Sequence, residues 1–210
     1  VYSDFLQFFI MCTSVILVLA FSYAKFGGLS FLQTELPSHY FSIAGEQGYL
    51  SMFVWGFIAL TTMIDPNFYQ RIFAAKDLKT ARRGIILSTL VWIIFDLSTT
   101  FGAMYAKAVM PNLDSANAYF EYALNVLPQG LRGFFIAGIL ATILSTIDSY
   151  LFIAGNTISY DLLGMKRKTR WLHHFSIVFV GLLAIFMAQI FAGDIRSVWK
   201  TLGSYSAGTL

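Results

Sequence analysis

Gly138-Ile-Leu-Ala-Thr-Ile-Leu-Ser-Thr-Ile-Asp-Ser-Tyr150 places four aliphatic hydroxyls and a carboxylate inside an apolar run that extends from Gly133 to Tyr160. The run is long enough to cross a bilayer, which takes about 20 mostly apolar residues. Holding an ionised carboxylate such as Asp148 in hydrocarbon costs at least about 2.5 kcal/mol on insertion scales. On a helical wheel Gly138, Thr142, Ser145, Ser149 and Asn156 share one face, and Thr146 and Asp148 flank it. A single serine or threonine in such a helix ordinarily bonds back to its own i−4 carbonyl, and small residues mark helix–helix contacts. Several hydroxyls within two turns, beside a carboxylate, make a cluster of hard oxygen donors of the kind small hard cations prefer. Lithium, sodium or a proton relay would all use it.

The rest of the chain is equally apolar. Of 210 residues, 57% are hydrophobic and 12% charged, with a mean hydropathy of +0.68. Soluble domains carry roughly 25% charged residues, so the composition predicts an integral membrane protein. Four more runs qualify as spans, at about Phe5–Ala24, Gln47–Ile64, Gly84–Ala106 and Trp171–Gly193, and a further one begins near Leu202 and is cut off. Backbone groups in hydrocarbon must be satisfied internally, and none of these runs alternates like a barrel strand. The fold class is therefore all-α. The first run lacks a basic leader and cleavage site, so no signal peptide is expected, and the chain reads as an internal piece of a larger transporter. Cys12 is the single cysteine and forms no intrachain disulfide. A net charge of +3 without a basic-aromatic patch gives no support to nucleic acid as a partner. No nucleophile–base pair or His/Cys cluster suggests an enzyme.

Lysine and arginine set the orientation. Arg71–Arg83 and Lys166–Arg170 are densely basic, whereas Lys25–Glu46 has one lysine and two glutamates. The two basic connections are predicted to be cytoplasmic. In the external connection between Lys107 and Arg132, Asp114 or Ser115 is expected to cap a short helix through Val126. Tyr119, Tyr122, Ala123 and Val126 share one of its faces, and Pro128 stops it. Such a helix either rests on the membrane interface or covers an external vestibule.

Other polar residues stand out. Asp4 opens the first run on its cytoplasmic half, at a depth close to that of Asp148, and is also a plausible helix cap. Asp96, in mid-run, calls for an interior hydroxyl or amide partner. Gly56, Thr61, Thr62 and Pro66 interrupt the second run, and broken helices expose backbone at the midplane in transporters. Pro66 itself reads as a helix end beside Asp65. His173 and His174, after Trp171, read as interface anchors.

Three motifs resemble one family. Asp65-Pro-Asn-Phe-Tyr-Gln-Arg-Ile-Phe-Ala-Ala-Lys76, followed by Ala81-Arg-Arg-Gly84, resembles the cytoplasmic signature of the sodium:solute symporter family. That signature reads as an acidic or amide residue, Gln, two variable residues, Gln-Arg, a spacer and Ala-Ala-Lys. Ala137–Ser149, ending in Asp161-Leu162, is similar to the family's sodium-site helix, and Tyr2-Ser-Asp-Phe-Leu-Gln7 to its Trp-Thr-Asp-Val-x-Gln element. Pro66 departs from the usual Gln, and Thr142 stands where alanine is common. The family has a five-plus-five inverted-repeat architecture shared with the leucine transporter. By resemblance, the chain holds the last helix of the first repeat and about four and a half helices of the second.

The resemblance implies a secondary active symporter, multi-pass in the cell (inner) membrane, in which inward sodium flow drives uptake of a small organic solute by alternating access. It implies a main sodium site from the Thr142 carbonyl and the Ser145 and Thr146 hydroxyls. A second cation site in some members corresponds to Asp4, Ser145, Asp148 and Ser149. The unwound helix that completes the family's sodium site and cradles substrate is not in this sequence. Trp55, Thr61 and Thr62 are the residues here that could line a substrate cavity. Proton coupling through Asp148 or Asp4 is the alternative within the class, and the membrane sensor of a signalling protein the alternative outside it.

Overall fold

A computed structural model describes residues 2–63, 65–164, 170–190 and 195–207. Ile64, the stretch 165–169 and the end of the fifth run (191–194) lie outside the described residues, as do several side chains within helices, those of Thr61, Arg170 and Leu202 among them. The long helices are α1 (Tyr2–Phe26), α5 (Leu78–Val109), α7 (Gln129–Asn156) and α8 (Arg170–Ile190). Shorter ones are α2 (Leu29–Glu35), α3 (Gly48–Ala59), α4 (Pro66–Phe73), α6 (Ala118–Val126) and α9 (Ile195–Ala207). Among the described residues there is no strand. Ser3–Phe26, Leu78–Val109, Gln129–Leu162 and Trp171–Ile190 are long and apolar enough to cross a membrane.

Two elements differ from the sequence expectation for physical reasons. The second run is not one helix: α3 has 12 residues and passes into a 3-10 turn at Leu60–Met63. Pro66 does not simply end a helix; it begins α4. Its fixed φ suits the first helical position, and Asp65 caps it by accepting from the Asn67 backbone N–H at 2.8 Å. Similarly, α5 starts ahead of its apolar run because Asp77 accepts from the Thr80 N–H at 2.7 Å. That bond holds the exposed Asp77 carboxyl below the usual carboxylate range.

The chain forms two compact units, Val1–Gly48 with Asp77–Ser145, and Tyr49–Lys76 with Thr146–Leu210. In the first, α1 and α5 pack together and α6 lies against both. Buried Val18, Leu32, Tyr105, Tyr122, Ala123 and Phe135 form the core. Gly27, at φ +95°, ends α1 in the left-handed region that favours glycine, and its carbonyl accepts from the Tyr105 hydroxyl. α6 is the short helix expected in the connection between Lys107 and Arg132, with Tyr122, Ala123 and Val126 buried. It starts at Ala118 rather than at Asp114, whose carboxylate instead accepts from the Ala116 N–H. One face of α6 packs against α1 and α5. Tyr122 donates to the Ser22 hydroxyl at 2.7 Å, and Ser22 donates to the Val18 carbonyl at 2.7 Å. Tyr119 lies so close to Gly102 that a Cβ there would meet its ring at 2.5 Å. Burial pushes the Tyr122 phenol up to about 12, against a smaller downward pull from Ser22, and raises Tyr119 as well. Both stay neutral.

In the second unit α7 continues through a π-helical turn at Thr157–Leu162. Its Ser159 donates to the Ser176 hydroxyl of α8 at 2.9 Å, a buried contact. A Cβ at Gly155 would meet Ile177 at 2.5 Å, and one at Gly203 would meet Ile58 at 2.8 Å. These glycines let α8 approach α7 and α9 approach α3.

The Tyr122–Ser22 bond generates a prediction. Ser22→Ala strands a buried phenol and should cost about 1–3 kcal/mol. Adding Tyr122→Phe removes the orphaned group, so the double variant should recover most of the loss in thermal unfolding of the full-length protein in detergent. A double variant less stable than Ser22→Ala alone would contradict the assignment.

Candidate cation site

The polar face of α7 has a graded exposure. Gly138 is buried, Thr142, Ser145, Ser149 and Asn156 are half-buried, and Thr146 and Asp148 are exposed. Burial of Gly138 follows from contact: a Cβ there would collide with the side chain of Ser14 on α1. Thr142 spends its hydroxyl on the Gly138 carbonyl at 2.9 Å, so its remaining contribution is a backbone carbonyl, which has a second lone pair. Thr142 and Ser145 belong to the first unit, and Thr146, Asp148 and Ser149 to the second. Asp4 lies in the first turn of α1, exposed, in the first unit.

The structure joins two of the sequence motifs. Asp65 uses one carboxylate oxygen to cap α4, and the other accepts from the Tyr150 hydroxyl of α7 at 3.0 Å. At the far end of α4, Arg71 donates from Nη2 to the Ser149 hydroxyl at 3.4 Å. The two ends of a two-turn helix thus engage consecutive residues of α7, one turn beyond Ser145 and Thr146. Buried Asn67 seats the helix between them. The roles of Tyr150 and Arg71 were missed from sequence. The signal was faint: an Asp-Pro helix start leaves one carboxylate oxygen unused by its cap.

Other expected residues are less convergent. Trp55 is half-buried on α3, and Thr62 donates to the Ala59 carbonyl at 2.9 Å. Among the described residues Asp96 shows no interior hydroxyl or amide partner of the kind expected for it. It lies roughly opposite the buried Ser98–Gly102–Tyr105 face of α5, since two residues turn a helix by about 200°, and is exposed. His173 packs edge-on to Phe152 and stacks on Tyr160, with centroids at 5.7 and 5.8 Å. Among the described residues no three His, Cys, Asp or Glu side chains converge. The polar groups on α7 are hydroxyls, carbonyls and one carboxylate, oxygen donors suited to a hard cation rather than to zinc.

Four helices long and apolar enough to cross a membrane are those of a multi-pass integral membrane protein. The profile of the sodium:solute symporter family matches residues 1–206, and the chain belongs to that family. Its members are transporters, not enzymes. The chain is 28% identical over 205 residues to the high-affinity proline transporter PutP of Bacillus subtilis, covering 91% of this chain and 42% of that protein. It is 26% identical over 155 residues to the sodium/pantothenate symporter of Escherichia coli, covering 70% of this chain and 32% of that one. It is 24% identical over 204 residues to the sodium/myo-inositol cotransporter 2 of Oryctolagus cuniculus, covering 77% of this chain and 30% of that one. The chain thus spans well under half the length of these relatives. No solved structure matches it significantly.

The α4–α7 contact is tested by a double-mutant cycle. Asp65→Ser keeps a capping oxygen but leaves none for Tyr150, and Tyr150→Phe removes the donor. In thermal unfolding of the full-length protein the two losses should be non-additive, with a coupling of roughly 0.5–3 kcal/mol. Strict additivity would mean that the two side chains do not work as a pair.

Proposed function

We propose that the whole protein is a sodium-coupled symporter that takes up a small organic solute by alternating access. The observation that carries this reading is the oxygen-rich face of α7, in a chain that matches the symporter family over residues 1–206. The Thr142 carbonyl and the Ser145 and Thr146 hydroxyls hold the main sodium ion, with the remaining ligands supplied by the unwound helix outside this sequence. Sodium is cargo here, and its binding raises solute affinity through a coupling free energy, typically 1–3 kcal/mol. Asp148 and Ser149, with Asp4 and Ser145, serve a second cation on the way to the cytoplasm. A carboxylate in that position attracts a cation only while ionised, which is why a costly Asp148 is kept in the helix. The similar proteins are named for proline, pantothenate and myo-inositol. These names support the reading of the solute as a small organic molecule.

One series of measurements tests the reading. Ser145→Ala and Thr146→Ala each remove a neutral oxygen ligand without adding bulk. Losing one polar contact costs about 1–3 kcal/mol, so sodium affinity should fall roughly five- to hundredfold. Asp148→Asn and Asp4→Asn should leave that site working and lower the sodium-to-solute flux ratio in proteoliposomes. If Ser145→Ala and Thr146→Ala both keep wild-type sodium affinity, the hydroxyls only pack helices and the sodium reading falls. A flattened pH dependence in Asp148→Asn, with sodium dependence intact, would make the cargo a proton instead.

A further inference from the structure

We propose that Arg71 is a tethered cation that competes with sodium for the Ser149 hydroxyl, so that α4 reports and limits occupancy of the second cation position. The inference rests on the reading of Ser149 as a cation ligand. Its own basis is the contact across the second unit, in which the Arg71 guanidinium donates to Ser149 Oγ at 3.4 Å.

Three features make this contact more than a passing surface bond. The guanidinium is delivered by a fixed element, since α4 is capped by Asp65 and tied by the same carboxylate to Tyr150, the residue next to Ser149. Arginine stays charged at every accessible pH, unlike a histidine in its place. Ser149 adjoins Asp148, the carboxylate that makes this turn of α7 attractive to any cation. A hydroxyl oxygen that accepts from a guanidinium presents a positive charge to an arriving ion, and the two repel strongly away from bulk water. Sodium at Ser149 therefore requires Arg71 to withdraw. When the ion leaves toward the cytoplasm, Arg71 returns. Asp65–Tyr150 keeps α4 in place throughout, so the exchange needs only a change of side-chain rotamer. Arg71 thus acts as a positioning residue that keeps the second ion weakly held and easily released.

The test is equilibrium binding of radioactive sodium to the purified full-length protein. Arg71→Gln removes the charge and keeps a hydrogen-bond donor. The weaker phase of the isotherm should tighten by roughly fivefold or more, in the range of ordinary site coupling, or should appear where the wild type has a single phase. Arg71→Lys restores the charge and should return the isotherm to within about twofold of the wild type, a rescue that a merely structural arginine would not need a charge to provide. Should Arg71→Gln not fold, Arg71→Met takes its place in the comparison. An unchanged or weakened isotherm in the neutral variant overturns the proposal. Ser145→Ala separates the two levels: if it weakens binding while Arg71→Gln changes nothing, the Arg71 inference alone fails. If Ser145→Ala and Thr146→Ala change nothing either, the cation reading of α7 fails with it.

Discussion

Hydrocarbon offers no water to a stranded polar group, and most of this structure follows from that constraint. Hydroxyls along the membrane helices meet it by turning back on their own backbone. Ser22 bonds the Val18 carbonyl, Ser98 that of Ile94 and Thr142 that of Gly138. Such bonds cost little and say little about function. The informative groups are those that reach another element: Tyr122 to Ser22 in the first unit, and Tyr150 to Asp65 and Arg71 to Ser149 in the second. The first closes a cap over α1 and α5. The other two dock a short amphipathic helix on the part of α7 where oxygen donors gather.

α7 separates packing from chemistry along its length. Towards its start Gly138 lets α1 come close, and near its end Gly155 does the same for α8. Between these contacts lie Ser145, Thr146, Asp148 and Ser149, a stretch of short polar side chains. A π-helical turn then follows at Thr157–Leu162, a feature that widens the helix and recurs at functional sites. A segment so built gives up apolar packing in the middle of a membrane helix, and ion binding is the return proposed for it.

Much of this was legible from residue order because hydrophobic periodicity is a local signal. The long helices coincide with the apolar runs, and α6 appears with the buried face read from Tyr122, Ala123 and Val126. For the run at 47–64 residue order left a break near Gly56–Thr62 open; it folds as α3, unbroken through Gly56, with a 3-10 end at Leu60–Met63. What sequence could not supply was long-range pairing. Asp65 and Tyr150 are 85 positions apart and Arg71 and Ser149 are 78 apart. No periodicity links them; only docking of α4 does. Asp96 marks the same limit from the other side: its cost in a membrane helix is readable, but its place opposite the packed face of α5 depends on which neighbours α5 has.

The central claim is that α7 lends the Thr142 carbonyl and the Ser145 and Thr146 hydroxyls to a sodium ion. The most direct measurement is an experimental structure of the full-length protein at saturating sodium. The account predicts an ion in contact with those three oxygens, with the two hydroxyls rotated toward it. A sodium ion bound elsewhere, with Ser145 and Thr146 both directed at carbonyls of their own helix, would contradict it.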